Sequence, residues 1–175
     1  MSFDFQPRLS SDLLEIRRLA ADDFDGLYAV AADPLLWEQH PDKERWRPES
    51  FRVFFAESLA SEGALAVVDG RDRRVIGSSR YHGYDEHRSE VEIGWTFLAR
   101  SHWGGVYNGE LKRLMLRHAF RFVDVVVFLV APGNVRSQRA VENIGGVPAG
   151  LRRDGRGRRS LAYRIEARTW TDDLG

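Results

Sequence analysis

The sequence predicts one domain with a mixed α/β fold, in which helices cover both faces of a central, mostly antiparallel sheet. Along the chain, segments with the apolar periodicity of a strand alternate with segments that have the apolar periodicity of a helix. The unbroken apolar run 125–130 is typical of a strand covered on both faces. The order strand, helix, buried strand also favours a right-handed crossover that makes two strands parallel. We expect a single domain over 1–175, with its core at about 13–166.

The first part of the chain predicts a strand followed by two helices. Alternation over 13–19 predicts the strand, and Asp22 and Asp23 place carboxylates where a helix dipole favours negative charge. This first helix should stop before Pro34, and Pro48 suits the first position of the second helix. Each helix carries an apolar stripe for the core: Phe24, Leu27, Tyr28 and Ala31 on the first, and Phe51, Phe54, Phe55 and Leu59 on the second.

The middle of the chain predicts three strands and a long helix. Strands 64–68 and 74–84 flank a polar turn that contains a glycine, and helical periodicity returns over 107–122. Between them, 89–98 alternates, which predicts two faces: Val91, Ile93, Trp95 and Phe97 on one, and Glu92, Gly94, Thr96 and Leu98 on the other.

The C-terminal part predicts one more helix and two strands. Asn134 is a good N-cap for a helix that runs to Ile144 and is closed by two glycines. A short strand near Val147, an arginine-rich loop and a strand over 161–165 complete the order β-α-α-β-β-β-α-β-α-β-β.

Composition narrows the functional classes. Lys plus Arg and Asp plus Glu both total 26, so net charge provides no general attraction to nucleic acid or to an anionic membrane. The absence of cysteine excludes disulfides, thiolate zinc sites and cysteine nucleophiles, and we expect no metal. The N-terminus does not resemble a signal peptide and no apolar run approaches ~20 residues, so a cytoplasmic location is expected.

The loop between strand 89–98 and helix 107–122 is the most informative stretch. It contains adjacent glycines, Gly104 and Gly105, which let the backbone approach a ligand closely. The N–H groups at a helix start carry a partial positive charge that suits a pyrophosphate. Glycines between a strand and a helix more often reflect ordinary turn chemistry, so alone they are weak evidence for a ligand. A Walker loop and the three-glycine dinucleotide motif are excluded, because neither spacing is present.

A second segment, Asn134-Val135-Arg136-Ser137, opens the helix after the buried strand. Together with the glycine loop it resembles the two cofactor-binding segments of the GNAT superfamily of N-acetyltransferases. The likeness is greatest to the RimJ/RimL-like branch, which acetylates the N-termini of ribosomal proteins, and it covers roughly 13–166. Two positions depart from the superfamily pattern: Ser101 stands where it has Gln or Arg, and Val106 where it has Gly or Ala.

This resemblance implies a GNAT fold, with acetyl-CoA in a gap where strands 89–98 and 125–130 splay apart. The backbone of the first strand would pair with pantetheine, and a bulge near Gly94 or Trp95 would aim an N–H at the thioester oxygen. Arg136 and Arg139 would pair with phosphates or simply lie on a solvated helix face. The candidate cofactor-binding residues are Phe97, Leu98, Gly104, Gly105, Val106, Tyr107, Asn108, Gly109, Asn134, Arg136, Ser137 and Arg139.

The catalytic candidates implied by the resemblance are Glu92 and Ser137. The amine attacks the thioester directly, and Glu92 would take its proton as general base, through water; the alternative is a structural partner for a buried arginine or amide. Many relatives use a tyrosine to meet the leaving thiolate, but 134–145 contains none. Ser137 would donate a hydrogen bond there, or else be an ordinary residue of the first helical turn.

The acceptor pocket is assigned by the resemblance to the first two helices, their connection and the loop before the last strand. This nominates aromatic and basic residues in those segments: Trp37, His40, Trp46, Arg152, Arg153, Arg156, Arg158 and Arg159. His40 would be a second base or a surface residue. The arginines would suit an acidic acceptor, a nucleotide phosphate or plain solvation.

The expected activity is therefore acetyl transfer from acetyl-CoA to a primary amine, either a protein N-terminus or a small molecule. The alternative is an inactive CoA-binding sensor or interaction module. A homodimer is compatible with this class. Nucleic-acid binding through the arginine loop is disfavoured, because 152–159 has no interleaved aromatic residue.

Overall fold

The computed structural model describes residues 2–172, and within them the chain forms four α-helices and eight β-strands. No helix in that part of the chain is both long and apolar enough to cross a membrane. The helices are α1 (Phe24–Ala31), α2 (Pro48–Ala60), α3 (Tyr107–Ala119) and α4 (Val135–Asn143). The strands are β1 (Leu9–Ser10), β2 (Leu14–Arg18), β3 (Ala64–Asp69), β4 (Val75–Asp85), β5 (Glu90–Leu98), β6 (Val125–Val130), β7 (Val147–Arg153) and β8 (Arg159–Glu166).

All eight strands belong to one sheet, in the order β1-β2-β3-β4-β5-β6-β8-β7. Neighbouring strands are antiparallel except β5 and β6, which are joined through α3 and run parallel. The predicted fold class, a mostly antiparallel mixed sheet with one parallel crossover, is confirmed. Apart from the two-residue β1, the predicted order of elements is also confirmed.

Helices cover both faces of the sheet, and each face has its own core. Leu111, Leu114 and Met115 of α3 pack with Val141 of α4 on one face. Residues of α1 and α2 form the core on the other: Leu27, Ala31, Phe51, Phe54 and Phe55. The first face is called the α3 face below, and the second the α1/α2 face.

The two parallel strands separate part of the way along their length. Pairing runs from Glu90 with Val125 to Glu92 with Val127 and then stops, although β5 continues to Leu98 and β6 to Val130. Beyond Glu92, the backbone N–H and C=O groups on the edge of β5 that faces β6 are therefore not hydrogen-bonded to β6. This separation creates the space in which the candidate site lies.

A β-bulge interrupts β5 just after that separation. Arg80 is opposite Gly94, but Ser78 is opposite Phe97, so two residues of β5 face one residue of β4. Trp95 at this bulge has a φ of 53°, in the left-handed region that few non-glycine residues adopt. A bulge had been expected near Gly94 or Trp95, and its presence is confirmed.

The bulge overturns the predicted alternation over 89–98. Val91 and Ile93 face the α3 core as expected, but Phe97 packs with α1 and α2, while Leu98 joins the α3 core. Thr96 likewise faces α3, where it is hydrogen-bonded to a side chain of that helix. The prediction was wrong beyond Gly94 because an extra residue shifts the pleat by one and exchanges the two faces.

Two further boundaries differ from the prediction. The helix expected over 107–122 ends at Ala119, and the aromatic residues beyond it leave the helix: Phe120 packs on Trp170, and Phe122 on Phe3. The predicted short strand near Val147 extends to Arg153. Pairing of β7 with β8 therefore includes three arginines that had been expected in a loop, Arg152, Arg153 and Arg159.

Candidate active site

A cleft of about 290 Å³ lies where β5 and β6 separate. Residues from β4, β5, β6 and the β7–β8 hairpin line it: His82, Gly83, Glu90, Glu92, Val127, Leu129, Arg152, Arg153, Asp154 and Gly155. Val127 and Leu129 point into it, whereas Val126 and Phe128 point into the α3 core. The cleft therefore opens on the α1/α2 face of the sheet.

Glu92 lies at the last pair before the strands separate, between His82 of β4 and Val127 of β6. Its Oε1 is 3.1 Å from where a Cβ on Gly94 would stand, so the carboxyl group runs along β5 toward the bulge. Burial raises the pKa of Glu92 to about 7, and the negative charge of Asp154 adds to this rise. The charges of nearby arginines oppose the rise but do not cancel it.

Glu92 does not pair with the buried arginine beside it. Arg80 donates to Oγ of Ser58 over 2.7 Å, and its guanidinium stacks 4.4 Å from the ring centre of Trp95. Within residues 2–172, Glu92 takes part in no ion pair. Its carboxyl group can therefore gain and lose a proton near neutral pH, as a general base must.

The other carboxylates of the cleft are held by arginines. Glu90 accepts two hydrogen bonds from Arg152, over 2.5 and 3.2 Å. Asp154 accepts from Nε of Arg158 over 3.0 Å, and its pKa is lowered by its hydrogen bonds with that residue despite burial. Both acids are paired with arginines, whereas Glu92, in the part of the chain that the structure describes, is not, and this separates their chemistry from that of Glu92.

Arg156 and Arg158 lie beside the cleft and not in its lining. Arg158 donates to Asp42 over 3.0 Å, and Arg156 donates to Asp42 over 3.4 Å and to Glu57 over 2.9 Å. These contacts tie the β7–β8 hairpin loop to α2 and to the segment before it. That Arg156 and Arg158 contact an acceptor therefore remains a prediction. The arginines that line the cleft are Arg152 and Arg153, which had also been nominated for the acceptor pocket.

Trp37 and His40 are placed in and near the α1/α2 core. Trp37 is 2% exposed, and its Nε1 donates to the carbonyl of Ala31 over 2.8 Å. Nδ1 of His40 accepts from the backbone N–H of Asp42 over 2.9 Å. Burial, reinforced by the charge of Arg45, lowers the pKa of His40 to about 3. Neither residue lines the cleft, and a histidine with so low a pKa is a weak base.

The glycine loop between β5 and α3 is anchored at both ends. Nε1 of Trp103 donates to the carbonyl of Leu98 over 2.9 Å, and the hydroxyl of Tyr107 donates to Asp69 over 3.3 Å. Gly104 has a φ of 68°, which glycine adopts at little cost. The loop leads directly into α3, whose first N–H groups have no partner inside the helix. Asn108 and Gly109 lie in that first turn, and Val106 precedes it with 60% exposure.

The second predicted segment lies next to this loop. Asn134 caps α4 as predicted, since its Oδ1 accepts from the N–H of Ser137 over 3.1 Å. The guanidinium of Arg136 lies 4.1 Å from the ring centre of Trp103 and donates to the carbonyl of Leu36 over 3.2 Å. Arg136 thus joins the two segments. Arg139 is exposed on the same helix.

Sequence reasoning missed most of the cleft's lining. Glu90 could have been found, because it shares the alternation of Glu92 along β5. His82 and Asp154 carried no such signal, and Arg152 was nominated only as part of the arginine-rich loop. They reach Glu92 only through the register of β4 with β5 and through the position of the β7–β8 hairpin.

Comparison with known proteins places this geometry among acetyltransferases. The family model described as Acetyltransferase (GNAT) domain matches residues 14–147. No curated protein matches the sequence.

Solved structures with the same fold include three informative examples. A GCN5-related N-acetyltransferase from Brucella melitensis has a TM-score of 0.83 at 17% identity, covering 94% of this chain and 80% of that one. The acetyltransferase from Agrobacterium tumefaciens str. C58 has a TM-score of 0.72 at 25% identity, with 95% and 97% covered. Mycobacterium smegmatis RimJ in complex with CoA-disulfide has a TM-score of 0.66 at 20% identity, with 93% and 87% covered.

Proposed function

The chain belongs to the GNAT acetyltransferase family, and from that premise we propose that it transfers the acetyl group of acetyl-CoA to a primary amine bound in the cleft beside Glu92. The acceptor is the N-terminus of a protein or a small-molecule amine. Transfer is direct, within a complex of enzyme, acetyl-CoA and amine, so no protein nucleophile takes part.

The separation of β5 and β6 supports the position of the cofactor. Beyond Glu92, the edge of β5 that faces β6 has backbone groups free to pair with the pantetheine arm as an added strand would. The pyrophosphate would then lie at Gly104 and Gly105, before the N-terminus of α3. Mycobacterium smegmatis RimJ, which shares this fold, has been solved with CoA-disulfide, and that supports a coenzyme A site here.

The bulge supports the site of acyl activation. At Trp95 the extra residue turns backbone groups away from the regular hydrogen bonding between strands. The carboxyl group of Glu92 points along β5 toward this position. An N–H aimed at the thioester oxygen would stabilise the negative charge that develops on it during attack.

The position and pKa of Glu92 carry the proposal. An amine enters as an ammonium ion and must lose a proton before its lone pair can attack the thioester carbon. A carboxyl group with a pKa of about 7 is a stronger base than an ordinary glutamate and is still substantially ionised at neutral pH. Glu92 passes this first proton to solvent. The nitrogen then bonds to the carbonyl carbon, the carbon–sulfur bond breaks, and Glu92 accepts the second proton that the nitrogen loses in becoming an amide.

The test is Glu92→Gln, which keeps the shape and hydrogen bonding of the side chain but removes the base. We expect kcat/KM to fall by about 10²–10⁴, with acetyl-CoA affinity nearly unchanged. This loss in kcat/KM should become smaller as the pH is raised from about 6 to about 10, because more of the amine is already deprotonated at high pH. Glu90→Gln is the matched control on the same strand face, and a folded Glu92→Gln protein with wild-type rates would exclude Glu92 as the base.

The acceptor class is tested by release of free CoA thiol from acetyl-CoA with a panel of short peptides, polyamines and other primary amines. We expect at least one class to accelerate release. Binding of CoA without release by any amine would instead favour the alternative of a non-catalytic CoA sensor.

A further inference from the structure

Lysine is rare in this chain, and one of its two lysines is buried. Among 26 basic residues only Lys43 and Lys112 are lysines. Lys43 is exposed, whereas Lys112 on α3 is 5% exposed. Arginine keeps its proton at any physiological pH, but a buried lysine can release one. A lysine at this position in an arginine-rich chain therefore adds proton chemistry that arginine cannot provide.

The amine of Lys112 lies across the two separated strands. Its Nζ donates to Oγ1 of Thr96 on β5 over 2.5 Å, and it lies 5.4 Å from the ring centre of Phe128 on β6. Thr96 is one of the two residues of the bulge, and Phe128 follows the last residue of β6 that pairs with β5. Lys112 thus reaches the gap from the α3 face, while Glu92 reaches it from the α1/α2 face.

The ammonium form of Lys112 has more donors than acceptors around it. It carries three N–H groups, and its hydrogen bond goes to Thr96, whose Oγ1 also lies 2.8 Å from Oγ of Ser79. No carboxylate within residues 2–172 forms an ion pair with it. A buried cation with spare donors is costly unless an acceptor or an anion comes to it.

The proposed reaction produces such an anion. When the carbon–sulfur bond of acetyl-CoA breaks, its electron pair goes to sulfur, and the thiolate forms in the gap that Thr96 and Phe128 border. We propose that Lys112 is the general acid of this enzyme: its Nζ donates a proton to the sulfur as the thiolate leaves. This inference rests on the proposed function.

Protons and electrons balance in this step. The ammonium first passes one proton through Glu92 to solvent. The neutral nitrogen then bonds to the carbonyl carbon and loses its second proton to Glu92, while the sulfur leaves with the bonding pair and takes a proton from Lys112. The products are the amide and the CoA thiol. Lys112 is left as a neutral amine, which regains a proton from solvent, and Glu92 returns its proton to solvent.

The acidity of Lys112 suits this transfer. Desolvation lowers its pKa to about 7, and no charged neighbour contributes to that shift. The side chains around Nζ are Thr96 of β5 and Phe128 of β6, and Ser79 of β4 lies beyond Thr96. None of these three side chains titrates near neutral pH. A cysteine thiol has a pKa of about 8.5 and a simple alkyl thiol is less acidic, so the proton moves downhill from the ammonium to the thiolate.

The first test needs coenzyme A alone. Ultraviolet absorbance of the thiolate is followed for bound CoA from about pH 6 to about pH 10, in wild type, Lys112→Met and Lys43→Met. Nζ can donate an N–H to the sulfur whether the amine is charged or neutral, and that hydrogen bond stabilises the thiolate, so wild type and Lys43→Met should form the thiolate at a lower pH than Lys112→Met. Equal titrations in all three would overturn the proposal.

The second test is kinetic. Lys112→Met should lower kcat at least about 10²-fold, with little change in KM for acetyl-CoA, and should remove the fall in rate that wild type shows as the ammonium deprotonates at high pH. A merely structural lysine would leave the shape of the pH profile unchanged.

Thr96→Val, which removes the acceptor but keeps the amine, should retain the thiolate shift. If Lys112→Met does not fold, Lys112→Gln replaces it in both tests.

The outcomes separate the two proposals. Full activity and an unchanged thiolate titration in Lys112→Met, with Glu92→Gln impaired, would reject Lys112 as the acid and leave the proposed function standing. A thiolate shift in a protein that acetylates no amine would reject the proposed function instead.

Discussion

At the scale of single residues, the proposed chemistry depends on two titratable groups that the fold desolvates. Glu92 and Lys112 reach the gap between β5 and β6 from opposite faces of the sheet, and burial moves both of their pKa values to about 7. Desolvation disfavours the charged form of each, so it raises the pKa of the acid and lowers that of the amine. A base and an acid with similar pKa values, one on each face, suit a reaction that removes one proton and adds another.

This desolvation predicts how Glu92→Gln alters stability with pH. The pKa of Glu92 rises from 4.5 to about 7 on folding, so the folded protein binds the proton more tightly than the unfolded chain does. The stability gained from that binding is complete below pH 4.5 and is lost as pH rises to about 7. Glutamine cannot ionise, so above about pH 7 the variant should be more stable than wild type, by roughly 3 kcal/mol at most.

Urea unfolding near pH 5 and near pH 8 measures this difference. Glu110→Gln is the control of opposite sign, because the hydrogen bond from Arg113 lowers the pKa of Glu110. That carboxylate contributes stability at neutral pH which is lost in acid, so its removal should destabilise the protein at pH 8. A Glu92→Gln protein less stable than wild type at both pH values would mean that Glu92 is a paired, ionised group.

At the scale of elements, the bulge of β5 and the N-terminus of α4 shape the two ends of the site. The bulge exchanges the faces of β5, so that Glu92 and Phe97 share one face while Thr96 turns toward Lys112. The α4 helix has only nine residues, and short helices depend on their caps and on packing. Asn134 supplies that cap and holds Arg136 and Ser137 beside the glycine loop.

Asn134→Ala should therefore lower the free energy of unfolding by about 0.5–2 kcal/mol, since the N–H of Ser137 loses its acceptor. Asn143→Ala, at the exposed last residue of the same helix, is the matched control and should change it by less than about 0.5 kcal/mol. Chemical denaturation of the two variants gives the comparison. Equal losses would show that the cap contributes no more than an ordinary surface residue.

At the scale of the whole molecule, the parallel pair divides the sheet into two antiparallel parts, β1 to β5 and β6 to β8. The glycine loop and α3 follow β5 in the first part, and α4 follows β6 in the second. A ligand that bridges the gap would contact both parts and would stabilise the native state by mass action.

CoA and acetyl-CoA should therefore raise the melting temperature, with a stabilisation of about 2.7 kcal/mol at one hundred times Kd. ATP, which has phosphates but no pantetheine arm, should give a smaller shift at equal concentration. Thermal unfolding with increasing ligand measures this. If neither CoA nor acetyl-CoA shifts the transition at millimolar concentration, the proposed cofactor site is wrong.

Much of the fold could be predicted from the sequence because its signals are local. The strand 125–130, the cap at Asn134 and the proline at the start of α2 depend on residues close to one another in the chain, and each is confirmed. The parallel crossover followed from element order, because a helix between two strands lets them run parallel. Glycines 104 and 105, with Asn134 and Ser137, also indicated the family that the comparisons show.

The tertiary structure alone decided the chemistry of the site. Whether Glu92 meets His82, Arg152 or Asp154 depends on strand register and on a hairpin some sixty residues away in the chain. The reversal of faces beyond Gly94 depends on how β5 pairs with β4, which no alternation pattern encodes. The pKa values of Glu92 and Lys112 depend on desolvation by surrounding elements, and desolvation is a property of the packed molecule and not of any segment of its sequence.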